Sequence, residues 1–159
     1  MWKALSEIAP VDLILCYDRG FENGSTYSSY TGLHELDVDR FIPEGWPKIR
    51  AACPTAKYWL AGKNDPTTAK RWRAVPGVQV LGFVDNLAPL HSASCLSVCP
   101  LWTGAGTNIK VLKSLAFGRT CVVTTMGHRG YEDFLQSGDS LLVAADARGG
   151  SGELYPVDQ

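Results

Sequence analysis

The sequence predicts an α/β fold, a three-layer Rossmann-like sandwich built on a mainly parallel sheet of about six strands. Two observations predict this fold class. Short apolar runs alternate with longer helical patterns along the chain, and such alternation indicates parallel strands that are joined by right-handed helical crossovers. The runs are also nearly continuous in apolar character, as expected for strands that helices cover on both faces.

Six apolar runs are the predicted strands. They lie at residues 11–17 (VDLILCY), 57–61 (KYWLA), 78–81 (VQVL), 95–99 (CLSVC), 121–124 (CVVT) and 141–143 (LLV). Ligands of open parallel sheets bind at the carboxyl ends of the strands, near the point where the strand order switches. The segments that follow these runs are therefore the first place to look for a functional site.

The segments between the strands predict helices. Asp37 can cap the first helix, and Pro43 is expected to break it near Glu44, since a proline inside a helix costs roughly 3 kcal/mol. Asp65 can cap the second, which has a proline at its first position. Residues 18–36 are rich in Gly, Ser, Thr and Tyr and predict a long surface loop. The predicted helices are residues 37–52, 66–74, 86–92, 107–117 and 131–136.

Length and composition predict one ordinary globular domain. The chain has 159 residues, of which 45% are hydrophobic and 19% charged. We expect an N-terminal extension at residues 1–10, a single domain at 11–147 and a flexible, Gly-rich tail at 148–159. The net charge of −1 argues against nucleic acid or an anionic membrane as a partner.

The cysteines indicate a reducing compartment. There are five, an odd number with no CxxC spacing, which argues against a disulfide framework and against a zinc site. The N-terminus lacks the apolar stretch of a signal peptide, and no apolar run is long enough to span a membrane. We therefore expect a cytoplasmic protein with no transmembrane segment, no metal site and no cofactor.

A glycine-rich stretch follows the predicted strand 95–99. It runs Gly-Ala-Gly-Thr-Asn-Ile-Lys over residues 104–110, and its spacing matches neither a dinucleotide fingerprint nor a P-loop. Thr107 can cap the helix that follows, and Lys110 in the first turn can reach a phosphate held by the backbone N–H groups. Two plainer interpretations stay open: a loop that only turns the chain, and a solvated Lys110.

Other side chains on the same predicted edge of the sheet can contact a ligand. Trp102 lies beside the glycines and can stack on a sugar or a base, although core packing is the usual role of a tryptophan. His128 and Arg129 follow the predicted strand 121–124, where His128 could touch a sugar, and Glu132 and Asp133 open the next predicted helix. A lone loop histidine is more often structural than ligand-binding, and no nucleophilic or metal-binding arrangement involves it.

Four stretches of the chain carry a resemblance to a known family. They are WPKIRAACPTAKYWLAGK, GVQVLGFVDNLAPLHSASCLSVCPL, GAGTNIKVLKSLAFGRTCVVTTMGHRGYED and SGDSLLVAAD. From Trp46 to Asp146, their local sequences and their order resemble the C-terminal, donor-binding domain of a GT-B fold glycosyltransferase of the group 1 type. The third stretch resembles that family's G-x-G-x-x-x-K-x-L-E-A-x-A-x-G-x-P-V-V signature.

The resemblance implies a site for a nucleotide-diphosphate sugar. The glycine-rich stretch would contact the diphosphate and sugar, while the segment with Phe83 and Val84 would lie beside the base. The family often carries two glutamates spaced E-x7-E, which fall at Ala105 and Lys113 here. Lys113 thus stands where the family has a carboxylate that accepts hydrogen bonds from the ribose hydroxyls. A lysine can only donate, and Lys113 could approach phosphate instead. The implied substrate-binding residues are Gly104, Gly106, Thr107, Asn108, Lys110, Lys113, Phe83 and Val84.

The implied function is glycosyl transfer to an acceptor that the sequence does not identify. We expect the chain to be inactive without an N-terminal acceptor-binding domain or chain, since both halves exclude water and orient the acceptor. The alternative is a non-catalytic binding or protein-interaction module that keeps the fold, which the missing glutamates favour. A receiver-like domain ranks last, because only Asp18 and Glu22 provide acidic groups after the first strand. The catalytic residues, the base, the sugar and the stereochemical outcome stay unassigned.

Overall fold

A computed structural model describes residues 12–16, 28–102 and 108–144 of the chain. In this part of the chain, the strands are β1 (Asp12–Cys16), β2 (Lys57–Ala61), β3 (Val78–Gly82), β4 (Leu96–Cys99), β5 (Thr120–Thr124) and β6 (Leu142–Ala144). They form one parallel sheet in the order β3-β2-β1-β4-β5-β6. The predicted α/β fold class is confirmed. The predicted extension at 1–10 and tail at 148–159 lie outside the described residues.

Helices connect the strands as crossovers. They are α1 (Ser28–Glu44), α2 (Trp46–Ala52), α3 (Pro66–Arg73), α4 (Ala88–Ala93), α5 (Ile109–Ala116) and α6 (Thr125–His128). The predicted cap of α3 is confirmed, because the Asp65 carboxylate accepts a hydrogen bond from the N–H of Thr68 at 2.9 Å. The predicted break near Glu44 is confirmed as well, and Gly45 separates α1 from α2.

Helix α1 corrects two expectations. Its first turns begin at Ser28, so the predicted loop over 18–36 is wrong for residues 28–36. Asp37 is not a cap but an interior helix residue that is only 3% exposed. The apolar stripe formed by Val38, Phe41 and Ile42 is buried against the sheet, and such packing stabilises a helix whose own residue propensities are weak.

The segment after β5 corrects a third expectation. The helix predicted over 131–136 is a single turn, in which the N–H of Leu135 donates to the carbonyl of Tyr131 at 2.8 Å. The regular helix forms earlier, as α6, because the Thr124 hydroxyl accepts the N–H of Gly127 at 3.1 Å and caps it. Gly130 and Gly138 have positive φ values of 85° and 91° and bound the turn.

Two apolar clusters cover the two faces of the sheet. On one face, residues of α1, α2 and α3 pack on alternate residues of the strands, with the indoles of Trp46 and Trp72 fully buried. On the other face, Val111 of α5 packs with Cys121 and Val123 of β5 and with Cys99. Helix, sheet and helix are therefore the three layers that the sequence predicts.

The strand order fixes where a ligand can bind. Strand β1 pairs with β2 on one side and with β4 on the other, so the order of the chain reverses between β1 and β4. The crevice of such a sheet opens at this reversal, outside the carboxyl ends of the strands. The chain that leaves β4 at Cys99 therefore starts on the ligand-binding edge.

Gly77, which precedes β3, is predicted to tolerate no side chain. Its φ is +81°, and a Cβ there would lie 2.9 Å from the Trp46 ring and 3.0 Å from the carbonyl oxygen of Ala56. We expect Gly77→Ala to lower the free energy of unfolding by about 3 kcal/mol, measured by urea denaturation. Gly118→Ala is the control, since its φ is +67° with nothing within 4 Å, and it should cost about 1 kcal/mol. Equal losses would contradict the steric argument.

Candidate functional site

The chain leaving β4 is anchored from two sides. The Thr124 hydroxyl of β5 donates a hydrogen bond to the carbonyl of Leu101. On the other side, the Asp37 carboxylate of α1 accepts the backbone N–H of Trp102 at 3.0 Å. The backbone before the glycine-rich stretch is thus held between the first helix and the neighbouring strand.

Asp37 is a residue that sequence reasoning missed. Its carboxylate is almost completely buried, and a buried carboxylate needs hydrogen-bond donors or a nearby cation to be stable. The N–H of Trp102, which lies 65 positions along the chain, is one such donor. A signal was present in the sequence, because Asp37 lies one helical turn before Phe41 and so belongs to the same buried stripe.

Lys110 lies in the first turn of the helix that follows the glycine-rich stretch, as the sequence predicts. It is the second residue of α5 and is only 9% exposed, which is unusual for a lysine. Its charge and that of Asp37 both act on the Cys99 thiol at the end of β4, where burial raises the pKa to about 11, Lys110 lowers it and Asp37 raises it. A buried cation and a buried anion therefore lie close to the carboxyl end of β4.

Asn108 makes contacts that the sequence did not indicate. Its side-chain amide donates to the carbonyls of Met126 and Gly127 at 3.3 and 3.0 Å. It stands at the N-cap of α5 but makes no capping hydrogen bond with its own side chain. The amide ties the start of α5 to α6. The other candidates of this stretch, Gly104, Gly106 and Thr107, lie outside the described residues.

The remaining candidates are separated along the edge. Lys113 is exposed, and its charge contributes to lowering the pKa of His91 on α4, an effect due first to burial of the imidazole and next to Arg119. Phe83 follows β3 and is 45% exposed, with the Lys63 ammonium 5.6 Å from its ring centre. Val84 beside it is half-buried. Strands β2 and β1 stand between β3 and β4, so β3 and β4 themselves are about 14 Å apart across the sheet.

A cleft of about 460 Å³ opens next to the exit of β4. The Arg40 guanidinium lies 4.3 Å from the Trp102 ring centre and fixes the indole that forms one of its walls. The volume is in the range of small-molecule sites. Its lining residues are Trp102, Thr124, Thr125, Met126, Arg129 and Glu132.

Glu132 gives this cleft a carboxylate. Its own backbone N–H lowers the pKa of the carboxyl most, desolvation opposes this effect, and the N–H of Gly130 lowers the pKa further. The Gly130 N–H donates to the carboxylate at 2.6 Å. The His128 imidazole contacts the carbonyl of Leu135 at 2.7 Å instead of facing a ligand, which agrees with a structural role for this histidine.

Neither a metal cluster nor a membrane-spanning helix is found in the described ranges. No group of three His, Cys, Asp or Glu side chains at 12–16, 28–102 or 108–144 could hold a metal ion. Across the same ranges, no helix is both long and apolar enough to cross a membrane.

A family model shows the family of this chain, and solved structures show the same fold. The model of the glycosyl transferases group 1 family matches residues 30–150. Among solved structures, HepE from Anabaena in complex with UDP and glucose is 15% identical with a TM-score of 0.57, over 87% of this chain and 36% of that chain. WaaG, a glycosyltransferase involved in lipopolysaccharide biosynthesis, is 14% identical with a TM-score of 0.57. The match covers 91% of this chain and 38% of WaaG. The chain therefore spans little more than a third of either protein. A search of curated protein sequences found no significant match.

Asp37→Ala is expected to release the backbone at Trp102. The lost acceptor leaves a half-buried N–H without its partner, which should cost about 1–3 kcal/mol of unfolding free energy. Amide hydrogen exchange at Trp102 should become faster than in the wild type. Asp39→Ala is the matched control, because Asp39 on the same helix binds Arg71 and Trp72 instead. Unchanged exchange at Trp102 in the Asp37 variant would refute the anchor.

The Cys99 thiol is expected to be inert while the protein is folded. At pH 8 it is protonated and buried, so iodoacetamide should label Cys53 and Cys95, which are half-buried, well before Cys99. The raised pKa also has a consequence for stability. Because the unfolded chain loses this proton first, the thiol's stabilising effect is complete below pH 8.5 or so and is lost as the pH rises toward about 11. Mass spectrometry of the labelled peptides tests the first expectation, and equal labelling of the three thiols would contradict it.

Proposed function

Since the chain belongs to the group 1 glycosyl transferases, we propose that it is the donor-binding domain of a GT-B glycosyltransferase. It binds a nucleotide-diphosphate sugar, and the glycosyl group passes to an acceptor. The family match over residues 30–150 and the strand order of a Rossmann-like half support this proposal.

The observation that carries the proposal is the position of Lys110. This largely buried residue lies in the first turn of α5, beside the end of β4 and next to the reversal of the strand order. The N-terminus of a helix attracts anions through its unpaired N–H groups and its dipole. A cation in that turn adds charge-assisted hydrogen bonds to a diphosphate and stabilises the negative charge of the departing nucleotide.

The proposed donor site extends along the edge from this point. The glycine-rich stretch contacts the diphosphate and the sugar, Lys113 attracts the diphosphate at longer range, and the segment after β3 lies beside the base. The HepE structure that this fold resembles was solved with UDP and glucose, which supports a nucleotide sugar as the class of ligand. The proposed residues are Gly104, Gly106, Thr107, Asn108, Lys110, Lys113, Phe83 and Val84.

Catalysis requires a second half in this proposal. The chain spans 36% and 38% of the two proteins that it resembles in structure. A donor bound at an open edge would be exposed to water, and no acceptor would be oriented against it. We infer that an N-terminal acceptor-binding domain or chain completes the enzyme and that this domain alone transfers no sugar.

One observation favours a second candidate function. Lys113 occupies the position where the family often has a carboxylate, and it is exposed to solvent. A lysine cannot accept the hydrogen bonds that the ribose hydroxyls donate to a glutamate. A non-catalytic binding or protein-interaction module would need no such acceptor. It would keep the fold and bind no nucleotide sugar.

Lys110→Met should weaken donor binding. The substitution keeps the buried stem of the side chain and removes its charge, so the affinity for the nucleotide sugar should fall at least about tenfold. Isothermal titration calorimetry with UDP-glucose, GDP-glucose and ADP-glucose measures the effect. Lys113→Met is the matched control on the same helix, and its affinity should fall by less than about threefold.

Two results would count against the donor-binding function. If the wild-type chain binds none of the three nucleotide sugars, the interaction module is the better description. If Lys110→Met binds as tightly as the wild type, the anion does not lie at the start of α5.

A further inference from the structure

The segment that runs from Trp102 to Asn108 and contains the two glycines is held at both ends by hydrogen bonds to distant parts of the chain. At its first end, the Asp37 carboxylate accepts the backbone N–H of Trp102 at 3.0 Å. At its second end, the Asn108 amide donates to the carbonyls of Met126 and Gly127 at 3.3 and 3.0 Å. Only five residues separate these two anchored points.

The partners of both ends are themselves fixed. Asp37 is buried within α1. Gly127 packs closely on the end of β4, where a Cβ on it would lie 3.2 Å from the carbonyl oxygen of Cys99. The Thr124 hydroxyl accepts the N–H of Gly127 and donates to the carbonyl of Leu101. The two ends of the segment are therefore also joined to each other through β5.

The Asn108 side chain has no donor left for an anionic ligand. A side-chain amide has two N–H donors and one acceptor oxygen. The two carbonyls of α6 use the donors, and the oxygen that remains cannot bind a phosphate oxygen, because both are acceptors. The side chain does not cap α5 either. Its contacts hold the start of α5 against α6.

From these contacts, we propose that Asp37 and Asn108 are positioning residues for the donor, which fix the two ends of this segment while neither side chain contacts the ligand. This role rests on the proposed function, in which the diphosphate lies at the glycines and Lys110. The Asp37 carboxylate would repel a diphosphate, so it acts through the backbone that it holds. A segment whose ends are fixed in advance loses less conformational entropy when a ligand orders it.

Isothermal titration calorimetry on the full chain tests this role, with UDP-glucose, GDP-glucose, ADP-glucose and inorganic pyrophosphate as the probes. The releasing variants are Asp37→Ala, Asn108→Ala and the double variant. Asp37→Asn is the conservative variant, because its amide oxygen can still accept the N–H of Trp102. Asp39→Ala is the matched control on the same helix, since Asp39 accepts hydrogen bonds from α3 instead.

Release of either end should lower the affinity for the nucleotide sugar about fivefold. The double variant should lose less than about tenfold, whereas two independent effects would multiply to roughly 25-fold, because a segment freed at one end gains little from the other anchor. Asp37→Asn should bind within about threefold of the wild type, and Asp39→Ala within about twofold. Pyrophosphate should rank the variants in the same order.

Thermal denaturation identifies a temperature at which each variant is folded, and the titrations are made there. If Asp37→Ala does not fold, Asn108→Ala and Asp37→Asn are compared with the wild type instead. The Asn108 side chain is only half-buried, so its removal is the milder change. A fivefold loss in Asn108→Ala together with retained binding in Asp37→Asn then supports the positioning role.

Three results would overturn the positioning role. The first is wild-type affinity in both Asp37→Ala and Asn108→Ala. The second is a set of losses that multiply in the double variant, which would indicate independent contacts with the ligand. The third is an Asp37→Asn variant as weak as Asp37→Ala, which would make the charge and not the hydrogen bond responsible.

Failure of the proposed donor function gives a different result. If the wild type binds pyrophosphate but no nucleotide sugar, the donor function is wrong, and the pyrophosphate affinities of the same variants decide the positioning role by the same criteria. A wild type that binds neither probe overturns both proposals.

Discussion

A partly buried hydrogen bond between α1 and the chain that leaves β4 organises the carboxyl edge of this sheet. The Asp37 carboxylate accepts the N–H of Trp102, and both the indole wall of the cleft and the entry to the glycine-rich stretch follow directly from that point. The N–H donates to a charged acceptor in a poorly solvated place, where such a bond is stronger than in water. The first helix therefore holds the backbone of the site although it contributes no residue to the proposed diphosphate contacts.

The three layers and the ligand-binding edge of the sheet could be predicted because they depend on local sequence patterns. Continuous apolar runs and the cap at Asp65 depend on neighbouring residues, and both match the structure. The strand that leads into the glycine-rich stretch was predicted from the same kind of local signal. The helix predicted after that stretch has Lys110 in its first turn. The match to the group 1 family agrees with the resemblance that the sequences of these segments showed.

The contacts that the sequence could not predict join distant parts of the chain. Asp37 has the residue type and position of a helix cap, and only tertiary packing makes it a buried acceptor for Trp102. Asn108 likewise has the residue type of an anion contact, but its amide reaches the carbonyls of α6, 18 and 19 positions away. Local propensity contains no information about such partners, since they depend on which strands become neighbours.

The side-chain amide of Asn108 joins two segments at the carboxyl edge of the sheet. It joins the start of α5 to the carbonyls of Met126 and Gly127, while Thr124 joins the same turn to Leu101. The first turn of α5 and the segment after β5 are therefore tied together by a side chain rather than by neighbouring backbone. Removing the Asn108 amide would take a donor from the carbonyls of Met126 and Gly127, so the cost of one substitution would fall on both segments.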